Sequence, residues 1–173
     1  MLYISIVFLP GLAALTAGVF SRILGHGFVM FITSLSVSIS SILSFYVFLK
    51  LIFSHKIINE NITILEWINS GDLSFSWSIM VDTLTIVMFV VVTSVSALVH
   101  WYSFGYMKKD PHKARFFTYL SLFTFAMLML VSSDNFVQLF FGWEGVGLCS
   151  YLLIGFWFKK PSANAAAIKA FIV

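Results

Sequence analysis

Asn135 to Phe158, with the sequence NFVQLFFGWEGVGLCSYLLIGFWF, is the stretch that decides the fold of this chain. It is mostly apolar, and Glu144 is its one acidic side chain. A helix needs about 20 apolar residues, each rising about 1.5 Å, to cross a membrane. Glu144 follows Phe136 by eight residues, which places it about 12 Å from the start of such a helix. The stretch therefore predicts a transmembrane helix with a carboxyl group near its middle.

Glu144 is the main candidate for a functional residue. A charged carboxylate at the centre of a bilayer costs about 2.5 to 3.5 kcal/mol, and such residues usually face a partner, a bundle interior or a water-filled path. The alternative is a protonated carboxyl group that only hydrogen-bonds a neighbouring helix. Gly142, Gly145 and Gly147 lie beside it, and small residues allow another backbone to approach closely. We predict that Glu144 is a proton relay.

The composition indicates an integral membrane protein. The chain has 173 residues, of which 60% are hydrophobic and 10% are charged, and its mean hydropathy is +1.00. A soluble domain carries about 25% charged residues. The long segments lack the alternation of a transmembrane β-barrel. We therefore expect an all-α polytopic protein in a lipid bilayer.

The sequence predicts no cofactor or metal site in this chain. Cys149 is the single cysteine, so the chain cannot form an internal disulfide or supply the four thiolates of an iron–sulfur cluster. It contains no G-x-G-x-x-G or Walker pattern for a flavin or nucleotide. We also expect no nucleic-acid partner.

The hydrophobic pattern predicts five complete transmembrane helices and a truncated sixth. Strict alternation from Leu73 to Ile79, after a turn at 69–72, is typical of a strand. We predict a β-hairpin on the membrane surface around residues 61–79. The sixth helix has eleven residues, about 16 Å against a bilayer core of about 30 Å, so we expect a fragment or a subunit completed by a second chain. The predicted helices are 2–20, 28–53, 79–102, 116–131, 136–158 and 163–173.

Four other polar residues are candidates for a functional or a structural role. Three of them have one interpretation of each kind, and the fourth has a structural interpretation only. Lys169, about 9 Å into the sixth helix, is a second relay or a lysine that extends to the interface. His100 is a proton shuttle or a polar anchor near a helix end. Asp82 is a relay member or an acid that favours a helix start. Asp134 is predicted to cap the fifth helix.

The basic residues predict the orientation of the chain. Lysine and arginine collect in loops on the inner side of a membrane. With the N-terminus outside, seven lie on the inner side, and only Lys50 and Lys56 lie on the outer side. The seven are Arg22, Lys108, Lys109, Lys113, Arg115, Lys159 and Lys160.

Several segments together resemble one known family. They are FGWEGVGLCSYLLIGF at 141–156, VHWYSFGYM at 99–107, Asp134-Asn135, and AAIKAF at 166–171. They are similar, in the family's order, to the N-terminal portion of the large antiporter-like subunit of NADH:quinone oxidoreductase, respiratory complex I. This subunit is chain 5 in mitochondria and chain L in bacteria.

The resemblance implies a fold of more than a dozen helices with inverted repeats, of which residues 1–173 would be the first part of a single antiporter-like membrane domain. It makes Glu144 the acid of the first half-channel, paired with a lysine on a later helix. The subunit would translocate protons while NADH oxidation and quinone reduction proceed in partner subunits. Those partners would hold NADH, FMN, iron–sulfur clusters and quinone, and other membrane subunits of complex I would pack beside this chain.

Two other functions are compatible with the same residues. The large subunit of a multi-subunit sodium/proton antiporter resembles the same fold and would need no redox partners. A scaffold fragment would only pack against its neighbours, and in it the change Glu144→Gln would be silent. The predicted location is the bacterial plasma membrane, with the mitochondrial inner membrane as the alternative.

Overall fold

The computed structural model describes residues 1–54, 59–71 and 73–172, and these form six helices and a two-stranded sheet. Five of the helices are long and apolar enough to cross a membrane. The predicted all-α polytopic fold with a β-hairpin is therefore confirmed. Lys56, the last turn residue Asp72 and the terminal Val173 lie outside the described residues. The elements are α1 (Leu2–Leu24), α2 (His26–Ser54), β1 (Glu60–Ser70), β2 (Leu73–Val81), α3 (Thr83–Tyr106), α4 (Lys113–Val131), α5 (Phe136–Ile154) and α6 (Pro161–Ile172).

Helix α4 lies at the centre of the described bundle. It packs against α1, α2, α3 and α5, whereas α6 packs against α5. The largest apolar core lies at the hairpin end, where Ile79 of β2 and Phe89 of α3 join Leu128 of α4. A second core at the other end brings Phe117 of α4 against Phe156. Because α4 contributes to both cores, it sets the positions of the surrounding helices.

A single residue, Gly25, connects α1 to α2. Its φ is 75°, a left-handed conformation that glycine adopts without the steric cost of a side chain. The sequence predicts a loop over residues 21–27, but residues 21–24 continue α1 and α2 already begins at His26. The loop is shorter because one glycine with positive φ is enough to reverse the chain direction.

The hairpin is longer than predicted and delays the start of α3. Strand β2 pairs antiparallel with β1 from Leu73 to Val81, so α3 begins at Thr83 and not at 79. The register shifts twice in β1, between Thr63 and Leu65 and between Glu66 and Ile68. Such irregularities increase the local twist of a two-stranded ribbon.

The last helices also differ in their bounds from the sequence prediction. Helix α4 begins at Lys113, three residues early, and α5 ends at Ile154, four residues early. Residues 155–160 form consecutive turns that lead into α6 at Pro161. These turns bend under α4, where the carbonyl of Phe156 accepts a hydrogen bond from Arg115 at 3.3 Å.

Candidate functional site

Helix α5 carries Glu144, and its first turn is fixed by Asn135. The side chain of Asn135 accepts a hydrogen bond from the Gln138 N–H at 2.9 Å, with extended backbone angles of φ −137° and ψ 158°. Such a cap satisfies an N–H group that the helix itself leaves unpaired. The predicted cap, Asp134, is therefore wrong by one residue. The Asp134 carboxylate instead accepts a bond from the Ser78 hydroxyl at 3.0 Å.

The hairpin is fastened to the start of α5 by Gln138. This buried amide accepts a hydrogen bond from the Ser78 N–H at 3.0 Å and donates one to the Ser78 carbonyl at 2.7 Å. Asn135 donates to the Ser76 carbonyl at 2.8 Å. A buried amide with both groups bonded holds its partner in one register. We call Gln138, Asn135 and their partners in β2 the hairpin clamp.

Three aromatic rings extend the same contact toward the middle of α5. The Trp67 and Trp77 rings of the hairpin lie 5.1 Å apart between centroids. Trp77 lies 4.9 Å from the Phe141 ring in an edge-to-face arrangement, a geometry that contributes beyond simple burial. The hairpin therefore contacts α5 up to three residues before Glu144.

The opposite face of α5 approaches α4 through glycine. A methyl group added at Gly142 would lie 2.8 Å from the Leu130 Cα atom, and one at Gly145 would lie 3.3 Å from the Ala126 Cβ atom. At Gly147 a methyl group would meet nothing within 4 Å. The glycines at 142 and 145 therefore let two backbones meet, as small residues do in membranes.

Glu144 points away from this contact. It is exposed on α5, beside the exposed Trp143 and Leu148, and no hydrogen bond to its carboxylate is formed within the described part of the chain. α5 is also the least buried of the five candidate transmembrane helices. The carboxylate is therefore presented on a face that residues 1–54, 59–71 and 73–172 leave uncovered.

The structure does not bring Lys169 to Glu144. Helices α5 and α6 contact each other through Tyr151 and Phe171, whose ring centroids are 5.6 Å apart, and at Gly155, where a Cβ atom would lie 3.3 Å from that of Ala167. These pairs put Lys169 level with residue 153, about 13 Å along α5 from Glu144. The lysine side chain is exposed.

His100 lies fully buried between α3 and α4. Its Nδ1 atom is 2.8 Å from the Ser96 carbonyl oxygen, and its Nε2 atom is 3.0 Å from the Ser121 hydroxyl. The Ser96 hydroxyl in turn contacts the hydroxyl of Thr124. A polar anchor at the membrane surface would be exposed, whereas His100 has no exposed area, and α3 continues for six more residues.

Asp82 caps α3. Its carboxylate accepts a hydrogen bond from the Thr85 N–H at 2.6 Å, and this bond lowers the pKa of the Asp82 carboxyl. The geometry agrees with an acid that favours a helix start.

The sequence missed the neighbours of His100 and the role of Gln138. Ser96 stands four residues before His100 on the same helix face, which was the one available signal. Ser121, Thr124 and Gln138 contact partners that are distant in the sequence, and no local pattern marks them.

Among the described residues no three histidine, cysteine, aspartate or glutamate side chains gather as a metal site.

These features define a class: an integral helical membrane protein with an acid midway along a helix that is anchored at its ends. A family model described as NADH-ubiquinone oxidoreductase (complex I), chain 5 N-terminus, matches residues 67–117. A second, described as NADH:quinone oxidoreductase/Mrp antiporter, TM, matches residues 133–173. The two together cover more than half of the chain.

Individual relatives agree with these matches. NADH-quinone oxidoreductase subunit L of Rhodobacter capsulatus is 55% identical over 97% of this chain and 24% of its own length. NADH-ubiquinone oxidoreductase chain 5 of Phytophthora infestans is 51% identical over 100% of this chain and 26% of its own. NADH-ubiquinone oxidoreductase chain 5 of Triticum aestivum is 51% identical over 99% of this chain and 25% of its own length. The chain belongs to this chain 5/subunit L family, and it spans about a quarter of the length of these relatives.

Proposed function

We propose that this chain is part of a membrane subunit of NADH:quinone oxidoreductase that translocates protons. Its family membership and the position of Glu144 support this function. The carboxylate lies about 12 Å along α5, within the segment matched by the antiporter family model. An intramembrane acid on an uncovered helix face is typical of proton transport.

Glu144 would bind and release protons as its electrostatic surroundings change. A nearby positive charge favours the ionised carboxylate, and its withdrawal favours the protonated form. The distance from Lys169 makes that residue a poor partner, so we assign the positive charge to a lysine outside the described contacts. The family resemblance places such a lysine on a later helix. The partner would contact the exposed face of α5.

The redox chemistry would take place in partner subunits. NADH, FMN, iron–sulfur clusters and quinone are assigned to those subunits, since one buried cysteine, Cys149, does not fit a cluster site. Other membrane subunits and the lipid bilayer would cover the apolar surfaces of α3 and α5. The redox steps would act on Glu144 only through conformational coupling.

The arrangement of basic residues supports an orientation with the N-terminus outside. The α3–α4 loop and the α5–α6 turns lie at one end of the bundle, where the Trp157 indole donates to the Asp110 carboxylate at 3.1 Å. Six lysine and arginine residues lie in or next to these two connections. This end would face the bacterial cytoplasm, or the matrix if the protein is mitochondrial. The hairpin would lie on the outer surface.

The second candidate is the large subunit of a multi-subunit sodium/proton antiporter. The description of the family model that matches residues 133–173 includes the Mrp antiporter. Such a subunit would exchange sodium for protons without NADH. The relatives named above carry NADH oxidoreductase names, and we therefore rank the antiporter second.

The change Glu144→Gln in the full-length subunit of the intact enzyme tests the proposed function. Gln has the size of Glu but cannot release a proton at neutral pH. We expect the complex to assemble and the number of protons pumped per NADH oxidised to fall. The measurement uses enzyme in sealed vesicles, with a pH-sensitive dye inside and NADH supplied outside.

Glu66→Gln is the matched control, because Glu66 is exposed on the hairpin. It should leave the proton yield unchanged. Full proton pumping in Glu144→Gln would contradict the proposal and favour a scaffold. Sodium-dependent proton uptake without NADH would favour the antiporter.

A further inference from the structure

Arg115 lies in the first turn of α4, and the described residues accept a hydrogen bond from only one of its nitrogens. One terminal nitrogen donates to the Phe156 carbonyl at 3.3 Å. The buried Nε atom has no partner among the described residues. The guanidinium carbon lies 5.0 Å from the Phe156 ring centroid and 5.5 Å from that of Phe158. The two rings thus hold the position of a permanently charged group that has five N–H donors.

The carboxylate of Asp110 does not accept a hydrogen bond from the Arg115 guanidinium. It accepts hydrogen bonds from the His112 N–H at 2.8 Å and from the Trp157 indole at 3.1 Å. Partial burial acts to raise the pKa of Asp110, but these bonds and the positive charge of Arg115 outweigh it and lower the pKa. Asp110 is thus ionised and engaged elsewhere, without a direct hydrogen bond to Arg115.

Two adjoining clefts open at this guanidinium. The first, of about 200 Å³, lies between α4, α5 and α6, and Tyr119, Tyr151 and Asn164 supply its other polar groups. The second, of about 280 Å³, is lined by Lys159 and Lys160 and also by the carboxylate-bearing Asp110. Arg115, Phe156 and Phe158 line both. The site around this rim therefore combines an arginine, two lysines and several hydrogen-bonding groups with one carboxylate, Asp110, which accepts its hydrogen bonds from His112 and Trp157, and its net charge is positive.

Aromatic side chains place this rim at the end of the apolar bundle. The Lys160 amine lies 5.4 Å from the Trp157 ring centroid, and Tyr106 lies 6.5 Å from the same indole between ring centroids. Tryptophan and tyrosine collect at the level of lipid headgroups. The clefts thus lie where the headgroup of a phospholipid meets the helices.

We propose that these clefts bind a phosphate ester, namely the headgroup phosphate of an anionic phospholipid, on Arg115. The planar guanidinium matches two phosphate oxygens at once. Lys159 and Lys160 add positive charge that favours an anionic lipid over a zwitterionic one, and basic pockets between helices bind such headgroups. This site lies at the opposite end of α5 from the hairpin clamp and does not depend on the role of Glu144.

Photocrosslinking in the intact full-length complex tests the site. The probe is a photoactivatable phosphatidylglycerol, and the readout is the amount of probe on peptides from residues 113–172. We expect Arg115→Gln to lower this labelling about tenfold, as expected for the loss of a charge-assisted hydrogen bond. Lys109→Gln is the matched control, because it removes one exposed positive charge from the same end of the bundle without altering the clefts.

Competition identifies the source of the phosphate. Excess unlabelled phosphatidylglycerol should displace the probe, whereas phosphatidylcholine and inorganic phosphate should not. Displacement by inorganic phosphate at millimolar concentration would overturn the lipid assignment and indicate a site for free phosphate. Equal displacement by phosphatidylcholine would overturn the preference for an anionic lipid.

Arg115→Lys covers the case in which the glutamine variant fails to assemble. This variant keeps the charge but loses the planar fork, so labelling should fall to a value between those of the original protein and Arg115→Gln. Unchanged labelling in both Arg115 variants would refute the site. In that case a carboxylate from another segment is the better partner for Arg115.

Discussion

Two ionisable side chains of this bundle lie in opposite surroundings. His100 is buried between α3 and α4, and both of its ring nitrogens have hydrogen-bond partners. Glu144 is exposed on α5. A buried group whose hydrogen bonds are all made stabilises the packing of its neighbours. An acid on the exposed face of an apolar helix usually pairs with a group on another segment or faces a water-filled path. The two residues therefore have different consequences when changed.

His100→Phe should destabilise the full-length subunit by about 1 to 3 kcal/mol, because the buried Ser121 hydroxyl loses its partner. His100→Gln should retain most of the stability, since its amide nitrogen can still reach that hydroxyl. The measurement is the thermal unfolding midpoint in detergent. His112→Phe is the control, because His112 is exposed and makes no side-chain cap bond. An unchanged midpoint in His100→Phe would mean that the polar contact is unimportant.

The position of Glu144 along its helix was predictable, but its exposure was not. Counting residues along an apolar segment gives depth, because every helical residue rises by the same amount. The side of α5 that meets α4 depends on tertiary packing, which one sequence does not specify. For the same reason the burial of His100 became clear only from the contacts of α3. Asp134 and Asn135 are both residue types that cap helices well. Only the extended backbone conformation of Asn135 in the structure shows that this residue is the N-cap of α5.

At the level of elements, the hairpin was predictable because its alternation has a period that no helix shares. Its attachment to α5 was not, since Ser78 and Gln138 lie sixty residues apart. The helix ends were the least accurate part. Ile79 is predicted both at the end of the hairpin and at the start of the following helix, and in the structure it pairs with Ile62 in the hairpin.

Gly142→Ala should weaken the packing of α5 on α4. The added methyl group would lie 2.8 Å from the Leu130 Cα atom. A backbone atom cannot move aside as easily as the end of a flexible side chain. We expect a destabilisation of about 1 to 3 kcal/mol, as for other overpacked sites. The measurement is again the unfolding midpoint of the full-length subunit.

Gly147→Ala provides the comparison on the same helix. No described atom lies within 4 Å of the added methyl group, and alanine favours a helix over glycine. This variant should be as stable as the original or slightly more so. Equal loss of stability in both variants would show that flexibility, and not close contact, is what the glycines provide.

The whole molecule has two chemically different ends. One carries the hairpin and the α4–α5 turn, which the Asn135 and Gln138 bonds join. The other carries the basic α3–α4 loop and the α5–α6 turns, which contact each other at Arg115 and Trp157. The sequence predicted this polarity from charge, because loops with many lysines stay on the inner side. Which connections touch each other came only from the structure.

Cysteine labelling of the full-length subunit in native membranes should show the orientation. In a background without other cysteines, Asn69→Cys on the hairpin should react with a membrane-impermeant maleimide from the outside. Lys109→Cys should react only after the membrane is opened or inverted. The native Cys149 is buried and can be replaced by alanine. The reverse pattern would mean that the N-terminus lies inside.

The attachment of α5 at both ends has a mechanical consequence. The hairpin clamp holds the beginning of the helix, and Arg115 and α6 hold the residues that follow its end. A helix held at both ends by such contacts can bend, but the contacts oppose its sliding along its own axis. Glycines at 142, 145 and 147 are poor helix formers, and the close approach of Gly142 to the Leu130 backbone leaves little room for movement toward α4. Bending of α5 away from α4 would therefore be easier than bending toward it, and it would move Glu144 outward, toward whatever packs on its exposed face.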